Sequence, residues 1–275
     1  MAAFLKMHGL GNDFAVFDAR RQTLTLTPAI ARALGSRKRG IGCDQIIVIA
    51  PGRDGADATM RIVNADGSEV ETCGNAARCV ARLLLAETGK REVTLATLGG
   101  LLRCSDAGAG LISVDMGIAH TVWDKIPLAE EVDTNRFVLD VAGDKWEAAA
   151  VSMGNPHCVL FVDDAEAADV AAIGARIETH ALFPRRTNVE FVSLIGPDHL
   201  RMRVWERGAG ITEACGSGAC ATAFAAFRRG LTGAAVRVQL DGGELELSVT
   251  DGHVIMTGPA TQVFAGDISL NGLTA

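Results

Sequence analysis

The chain has 275 residues, 48% of them hydrophobic and 21% charged, an ordinary globular balance whose length favours two domains over one. A net charge of −7 with no long basic run disfavours a nucleic-acid partner, and no apolar run reaches the length of a membrane span. The opening MAAFLKMHGL is interrupted by Lys6 and His8 and has no signal-peptide core, so the expectation is a soluble cytoplasmic protein.

In chain order, the extended runs AFLKM (3–7), FAVFD (14–18), QIIVI (45–49) and ATMRIV (58–63) predict strands by their alternating, β-branched character. NAARCVARLLLAET (75–88) then predicts a helix closed by Gly89. Strands EVTLAT, LLRCS and LISVDM follow, and a break falls near MGIAHTVWDKIPL (116–128). The second half brings strand HCVLFV, a helix over roughly 165–178 that reads as peripheral, and strands NVEFVS and HLRMRVW. It closes with the helix GACATAFAAFRR ended by Gly230, and strands AVRVQL, ELELSV and HVIMTG.

Two Glu-X-Cys-Gly segments, residues 71–74 and 213–216, point to an internal repeat. RIVNADGSEVETCG (61–74) aligns with RVWERGAGITEACG (203–216) at an offset of 142. GNDFAVF (11–17) aligns with GNPHCVL (154–160) at an offset of 143, and the same offset sets Gln45 against Asn188. Three segments in one order make the chain a duplication. The predicted fold is α+β: two pseudo-symmetric lobes, each a curled, mostly antiparallel sheet around a central helix rich in alanine. The N-terminal lobe is placed at residues 1–118, with 263–275 possibly returning to it, and the C-terminal lobe at 119–262, with the site in the cleft between them.

Each Cys-Gly opens its helix, where unpaired backbone N–H groups and partial positive charge attract anions. Such a thiol is expected to ionise more readily than usual. Gly74 and Gly216 allow close approach of a ligand, and Asn75 and Ser217 add polar side chains. Facing lobes would bring Cys73 and Cys215 to either side of one α-carbon. One thiolate would remove a proton and the other thiol would return one to the opposite face. Preorganised donors at the two helix ends would hold the carbanion without a cofactor.

The remaining duplicated polar positions are Asn12 with Asn155, Gln45 with Asn188, and Asn64 with Glu206. With His157 they are candidate donors and acceptors for an amino-acid substrate. Arg207 faces Ala65 in the alignment, so a carboxylate-binding guanidinium stands on one side only. Seven cysteines without a Cys-X-X-Cys pair argue for reduced thiols and against a zinc or iron–sulfur site; no metal is expected. Cys43, Cys79, Cys104, Cys158 and Cys220 read as core residues.

These residues resemble the diaminopimelate epimerase family. The resemblance is carried by MHGLGNDF (7–14), GIGCDQ (40–45), NADGSEVETCGNAARCVA (64–81), GNPHCV (154–159), TNVEF (187–191) and WERGAGITEACGSGACATA (205–223). It implies cofactor-independent interconversion of LL- and meso-2,6-diaminopimelate, a step of lysine and peptidoglycan precursor synthesis. Cys73 would be the proton donor and Cys215 the acceptor in the LL-to-meso direction. His157 and Glu206 would support the proton transfers. Substrate would be bound by Asn12, Gln45, Asn64, Gly74, Asn75, Asn155, Asn188, Glu206, Arg207, Gly216 and Ser217. A homodimer is also implied. Trp205 and Phe264 stand where Tyr occurs in members of the family, the latter at a position that bears on dimer contacts.

Two other readings stay open on residues alone. A related cofactor-independent racemase or epimerase would keep the fold and change the substrate residues. A redox-sensing binding protein would use the two thiols as a reversible disulfide.

Overall fold

The computed structural model describes residues 1–270 and 273. Its contacts divide the chain into two units, Met1–Val114 with Thr257–Ala275, and Asp115–Met256. The sequence placed its boundaries at 118/119 and 262/263.

The first unit is built from β1 (Ala2–Gly9), β2 (Asn12–Asp18), α1 (Pro28–Gly35), β3 (Gln45–Pro51), β4 (Ala58–Asn64), β5 (Glu69–Val70), α2 (Gly74–Thr88), β6 (Glu92–Thr97) and β7 (Gly100–Gly108). β8 (Leu111–Ile118) carries the chain into the second unit. That unit contains β9 (Phe137–Val141), β10 (Asp144–Ser152), β11 (Pro156–Phe161), α3 (Val170–Glu178), β12 (Asn188–Gly196), β13 (His199–Glu206), β14 (Gly210–Ile211), α4 (Gly216–Arg228), β15 (Ala235–Leu240) and β16 (Gly243–Thr250). β17 (His253–Pro259) returns the chain to the first unit, where β18 (Thr261–Ile268) completes it.

Strand pairing shows the duplication residue by residue. β2 lies parallel to β3 with Phe14 opposite Gln45, and β11 lies parallel to β12 with His157 opposite Asn188. β3 pairs antiparallel with β4 through Ile46 and Val63, and β12 with β13 through Val189 and Trp205. β4 runs parallel to β6 with Ala58 opposite Leu95, and β13 to β15 with Leu200 opposite Val238. Antiparallel pairs complete each mixed sheet, as in β1 with β2, β6 with β7, β10 with β11 and β15 with β16. The strand that ends each copy in sequence joins the first strand of the other copy: β18 pairs with β1, and β9 with β10.

α1 went unrecognised in the sequence, although Thr27 caps it, accepting from the Ile30 N–H at 3.3 Å, and Pro28 occupies its first turn. Its counterpart α3 is capped by Asp169, which accepts from the Ala172 N–H at 3.0 Å. The expectation of a peripheral helix there is corrected. Val170 and Ile177 are buried with Val189 and Phe191 in the outer core of the second unit. A Cβ added at Gly174 would meet Trp205 at 2.5 Å, so helix and sheet pack closely there. The matching outer core of the first unit joins Ala31 and Leu34 of α1 to Ala15, Phe17, Ile46 and Val48.

α4 is buried on nearly every side, as its run of Ala and Gly requires, whereas α2 is buried over its first two turns and exposes Arg82 and Ala86–Thr88. Gly89 ends α2 in the left-handed conformation at φ 66°. Among the described residues, no helix is long and apolar enough to cross a membrane.

Candidate active site

In the first unit Cys73 is the N-cap of α2, with extended backbone at φ −143° and ψ 109°, and Gly74 is the first helical residue. The first-turn amides therefore begin at the Cys73 thiol. Its sulfur lies 3.8 Å from Asn12 Oδ1, which also accepts from Asn75 Nδ2 at 3.2 Å. Asn75 Oδ1 accepts from the Arg78 guanidinium at 2.9 Å, and Asn12 Nδ2 donates to the Asp44 carboxylate at 3.0 Å. Arginine only donates and a carboxylate only accepts, so both ends of this chain are fixed and Asn12 must turn its carbonyl oxygen toward Cys73.

Asp44 and Asp13 brace that arrangement. Each backbone N–H donates to the other's carboxylate, at 3.1 and 2.9 Å, and Arg37 binds both side chains. Burial works to raise the Asp13 pKa, but hydrogen bonds from Arg37 and Lys6 outweigh it and hold the carboxyl at about 2. On the adjacent strands Gln45 Nε2 donates to Asn64 Oδ1 at 3.0 Å, and Asn64 Nδ2 donates to Ser68 Oγ at 3.0 Å. Gln45 Oε1 is buried with no partner among the described residues.

In the second unit Cys215 is the N-cap of α4, at φ −114° and ψ 104°, and its sulfur accepts from the Gly218 N–H at 3.4 Å. Ser217 Oγ lies 3.7 Å from the same sulfur and accepts from Asn155 Nδ2 at 3.3 Å. His157 Nε2 lies 3.0 Å from Asn155 Oδ1, and His157 Nδ1 lies 2.6 Å from Glu190 Oε1. Asn188 Nδ2 donates to the Pro156 carbonyl at 2.9 Å, while its Oδ1 accepts from the Arg207 backbone N–H at 2.9 Å. The Arg207 side chain is exposed and donates to the Arg185 carbonyl at 3.2 Å, away from the other candidates.

Glu206 accepts a short hydrogen bond from Thr212. Burial raises its pKa first, and the Glu190 charge adds to that; Thr212, the His157 charge and a Cys215 hydrogen bond pull the other way. The Cys215 thiol is pushed well above the ordinary thiol range, by burial first and then by the Glu206 and Glu190 carboxylates. The expectation that a helix start would make this thiol ionise readily is thereby corrected. The Gly218 N–H and Ser217 do favour thiolate, but burial and two nearby carboxylates outweigh them.

The expected residues thus gather in two sets. Asn12, Cys73, Gly74 and Asn75 meet at one helix start, and Asn155, His157, Cys215, Gly216 and Ser217 at the other. Gln45 and Asn64 bond to one another on neighbouring strands. Asp44, Arg78 and Glu190 went unread. Glu190 carried a signal, being the one charged residue in the apolar run NVEFV. All seven cysteines are thiols, and Cys43, Cys79, Cys104, Cys158 and Cys220 are buried. Among the described residues no group of three or more His, Cys, Asp or Glu side chains is placed to hold a metal ion.

Comparison with known proteins covers both halves. A family model described as diaminopimelate epimerase matches residues 4–122 and 149–263, segments that each contain one Cys-Gly helix start. A diaminopimelate epimerase of Rhodospirillum centenum is 57% identical over 97% of this chain and 92% of the relative. One from Acidiphilium cryptum is 52% identical over 96% and 95%. Among solved structures, a probable proline racemase from Agrobacterium radiobacter with bound carbonate superposes with a TM-score of 0.73 at 17% identity, over 98% of this chain and 93% of that one. A hydroxyproline epimerase from Agrobacterium vitis with bound trans-4-hydroxy-L-proline gives 0.70 at 16% identity, over 97% and 90%. At such identities the two structures speak for the fold alone.

Proposed function

Because the chain belongs to the diaminopimelate epimerase family, we propose that it interconverts LL- and meso-2,6-diaminopimelate by proton exchange between two thiols and one α-carbon. The reaction serves lysine and peptidoglycan precursor synthesis. The observation that carries the mechanism is the repeated cysteine N-cap, one at α2 and one at α4, each followed by first-turn amides able to hold a carboxylate.

In the LL-to-meso direction Cys215, as thiolate, takes the α-proton and becomes a thiol. The electron pair left on carbon spreads into the substrate carboxylate. Donors at Gly74 with Asn75 and at Gly216 with Ser217 stabilise that charge. Cys73 then gives its S–H proton to the opposite face and becomes thiolate; the reverse reaction exchanges the roles. The high pKa of Cys215 means that it rests as a thiol. Glu206, a carboxyl made more basic by burial, is suited to take its proton. An arriving substrate ammonium offsets the negative charge around Glu206. The unpartnered Gln45 Oε1 is an acceptor suited to such an ammonium. Asn12, Asn64, Asn155 and Asn188 complete the substrate contacts, Arg207 joins them by leaving the Arg185 carbonyl, and His157 supports the Cys215 side.

The enzyme works in the cytoplasm on a small amino-acid substrate, and as a homodimer. The exposed apolar pair Val263 and Phe264 on β18 supports contact with a second copy, which sedimentation of the pure protein measures.

The test is incubation of the reduced protein with LL-diaminopimelate in deuterium oxide, with no added cofactor. The expected result is meso product carrying α-deuterium. Failure to form either the second isomer or the labelled α-position sinks the reading.

A further inference from the structure

The duplication leaves one buried pair without a counterpart. At the common offset His157 matches Phe14, and Glu190 matches Ile47. An acid and a base beneath Cys215 therefore stand where the first unit has two apolar side chains. Both are wholly enclosed, and Glu190 Oε2 has no partner among the described residues. Burying a carboxyl is costly unless it is paired, and His157 Nδ1 is the partner of Glu190 Oε1. α4 accommodates it closely: a Cβ at Gly218 would lie 2.8 Å from Glu190 Oε1 and 3.2 Å from Cys215 Sγ. The third residue of the α4 first turn is thus a glycine where a side chain would press on Glu190 and crowd the sulfur.

We propose that Glu190 is a positioning residue that readies Cys215 to act as the base. It does not touch the reacting carbon. Its carboxyl oxygen, 2.6 Å from Nδ1, fixes that end of the His157 ring, and Nε2 faces an amide oxygen, which can only accept. Nε2–H then donates to Asn155 Oδ1 at 3.0 Å. The amide is thereby fixed with Nδ2 donating to Ser217 Oγ at 3.3 Å. Ser217, whose oxygen already accepts, directs its own O–H at the Cys215 sulfur 3.7 Å away. With the Gly218 N–H at 3.4 Å, the thiolate meets two donors. Without Glu190, Nδ1 loses the partner that fixes the ring. Nε2 can then become an acceptor, Asn155 is free to turn over, and Ser217 is no longer committed to sulfur.

The other titratable groups facing this pocket are Glu206 of β13, whose charge opposes the thiolate, and Cys158 beside His157 on β11, whose thiol is pushed well above its ordinary range by burial and then by the Glu190 charge. The inference rests on the proposed role of Cys215, but its readout needs no turnover.

Cys215 ionisation is followed against pH without substrate, as the thiolate ultraviolet absorbance lost on Cys215→Ala. Glu190→Gln is expected to leave roughly tenfold less Cys215 thiolate at a given pH, moving its ionisation upward by about one pH unit. In the epimerase assay kcat should fall about tenfold with KM held within about twofold. A carboxylate acting only as a bare negative charge opposes thiolate, so its removal would move the ionisation downward, and that result overturns the proposal. So does an unmoved ionisation with a lowered melting temperature, the outcome of a purely structural role. If Glu190→Gln does not fold, Ser217→Ala removes the last donor of the same chain and should shift Cys215 the same way; no shift again overturns it. Absence of turnover by the unaltered protein would defeat the epimerase reading and leave this thiol measurement to be judged separately.

Discussion

Asn12 and Asn155 occupy matching positions in the two halves and turn opposite ends of their amides to the helix start beside them. Asn12 presents its carbonyl oxygen to Cys73, while Asn155 presents its amino nitrogen to Ser217, the neighbour of Cys215. An acceptor favours a thiol that keeps its proton. A donor relayed through a hydroxyl favours a thiolate. The matching asparagines thus turn opposite polarity toward their two helix starts, the difference that the proposed acid and base roles call for.

Removing one thiol separates the two half-reactions. Cys73→Ala and Cys215→Ala should each lose at least roughly a thousandfold in interconversion. In deuterium oxide Cys73→Ala should still wash label slowly into the LL isomer without inverting it, and Cys215→Ala into the meso isomer. Chiral chromatography with mass detection checks both. Inversion at a near-normal rate by either variant would contradict the two-thiol assignment.

Glu206 has effects of opposite sign on ionisation and on rate. Its carboxylate is the larger of the two charges raising the Cys215 pKa. Glu206→Gln should therefore lower the pH at which Cys215 ionises while cutting kcat by about a hundredfold, because the group placed to receive the thiol proton is gone. Titration of the thiolate absorbance and steady-state kinetics on one preparation measure the pair.

Acid should loosen the first unit through Asp13. Its folded pKa is depressed to about 2 from the ordinary 3.8, so its stabilisation is present above 3.8 and is lost as pH falls toward 2. The side chain is partly solvated, and the contribution is roughly 1–2 kcal/mol once screening is allowed for. Asp13→Asn should remove it, flattening the stability curve in that window in denaturant titrations at graded pH.

A chain ending at residue 260 loses β18, the antiparallel partner of β1, and the edge contact of Phe264 on Phe4. Calorimetry should show the first unit melting earlier than in the full chain, with the second unit less affected. Equal loss in both would contradict the division into units.

The repeated Glu-X-Cys-Gly and the β-branched strand runs made the duplication, the two central helices and the pair of thiols legible in the sequence. What it concealed has physical causes. β10 carries KWEAAAV, poor in strand-forming residues, and becomes a strand because β9 and β11 pair on either side of it. β18 pairs with β1 at the other end of the sequence, which no local pattern can report. Asp44 and Arg78 act through side chains, not through position in a repeat. The ionisation of Cys215 was misread because a helix start is visible in sequence, whereas the burial and carboxylates that override it exist only once the chain has folded.

The trailing strands also constrain how the protein is made. During translation the N-terminal unit is synthesised first, yet it cannot close its sheet until the C-terminal strand has cleared the ribosome exit tunnel. A gene cut at the repeat boundary would give two products each lacking its own last partner. The ancestral duplication is therefore no longer separable into self-sufficient halves.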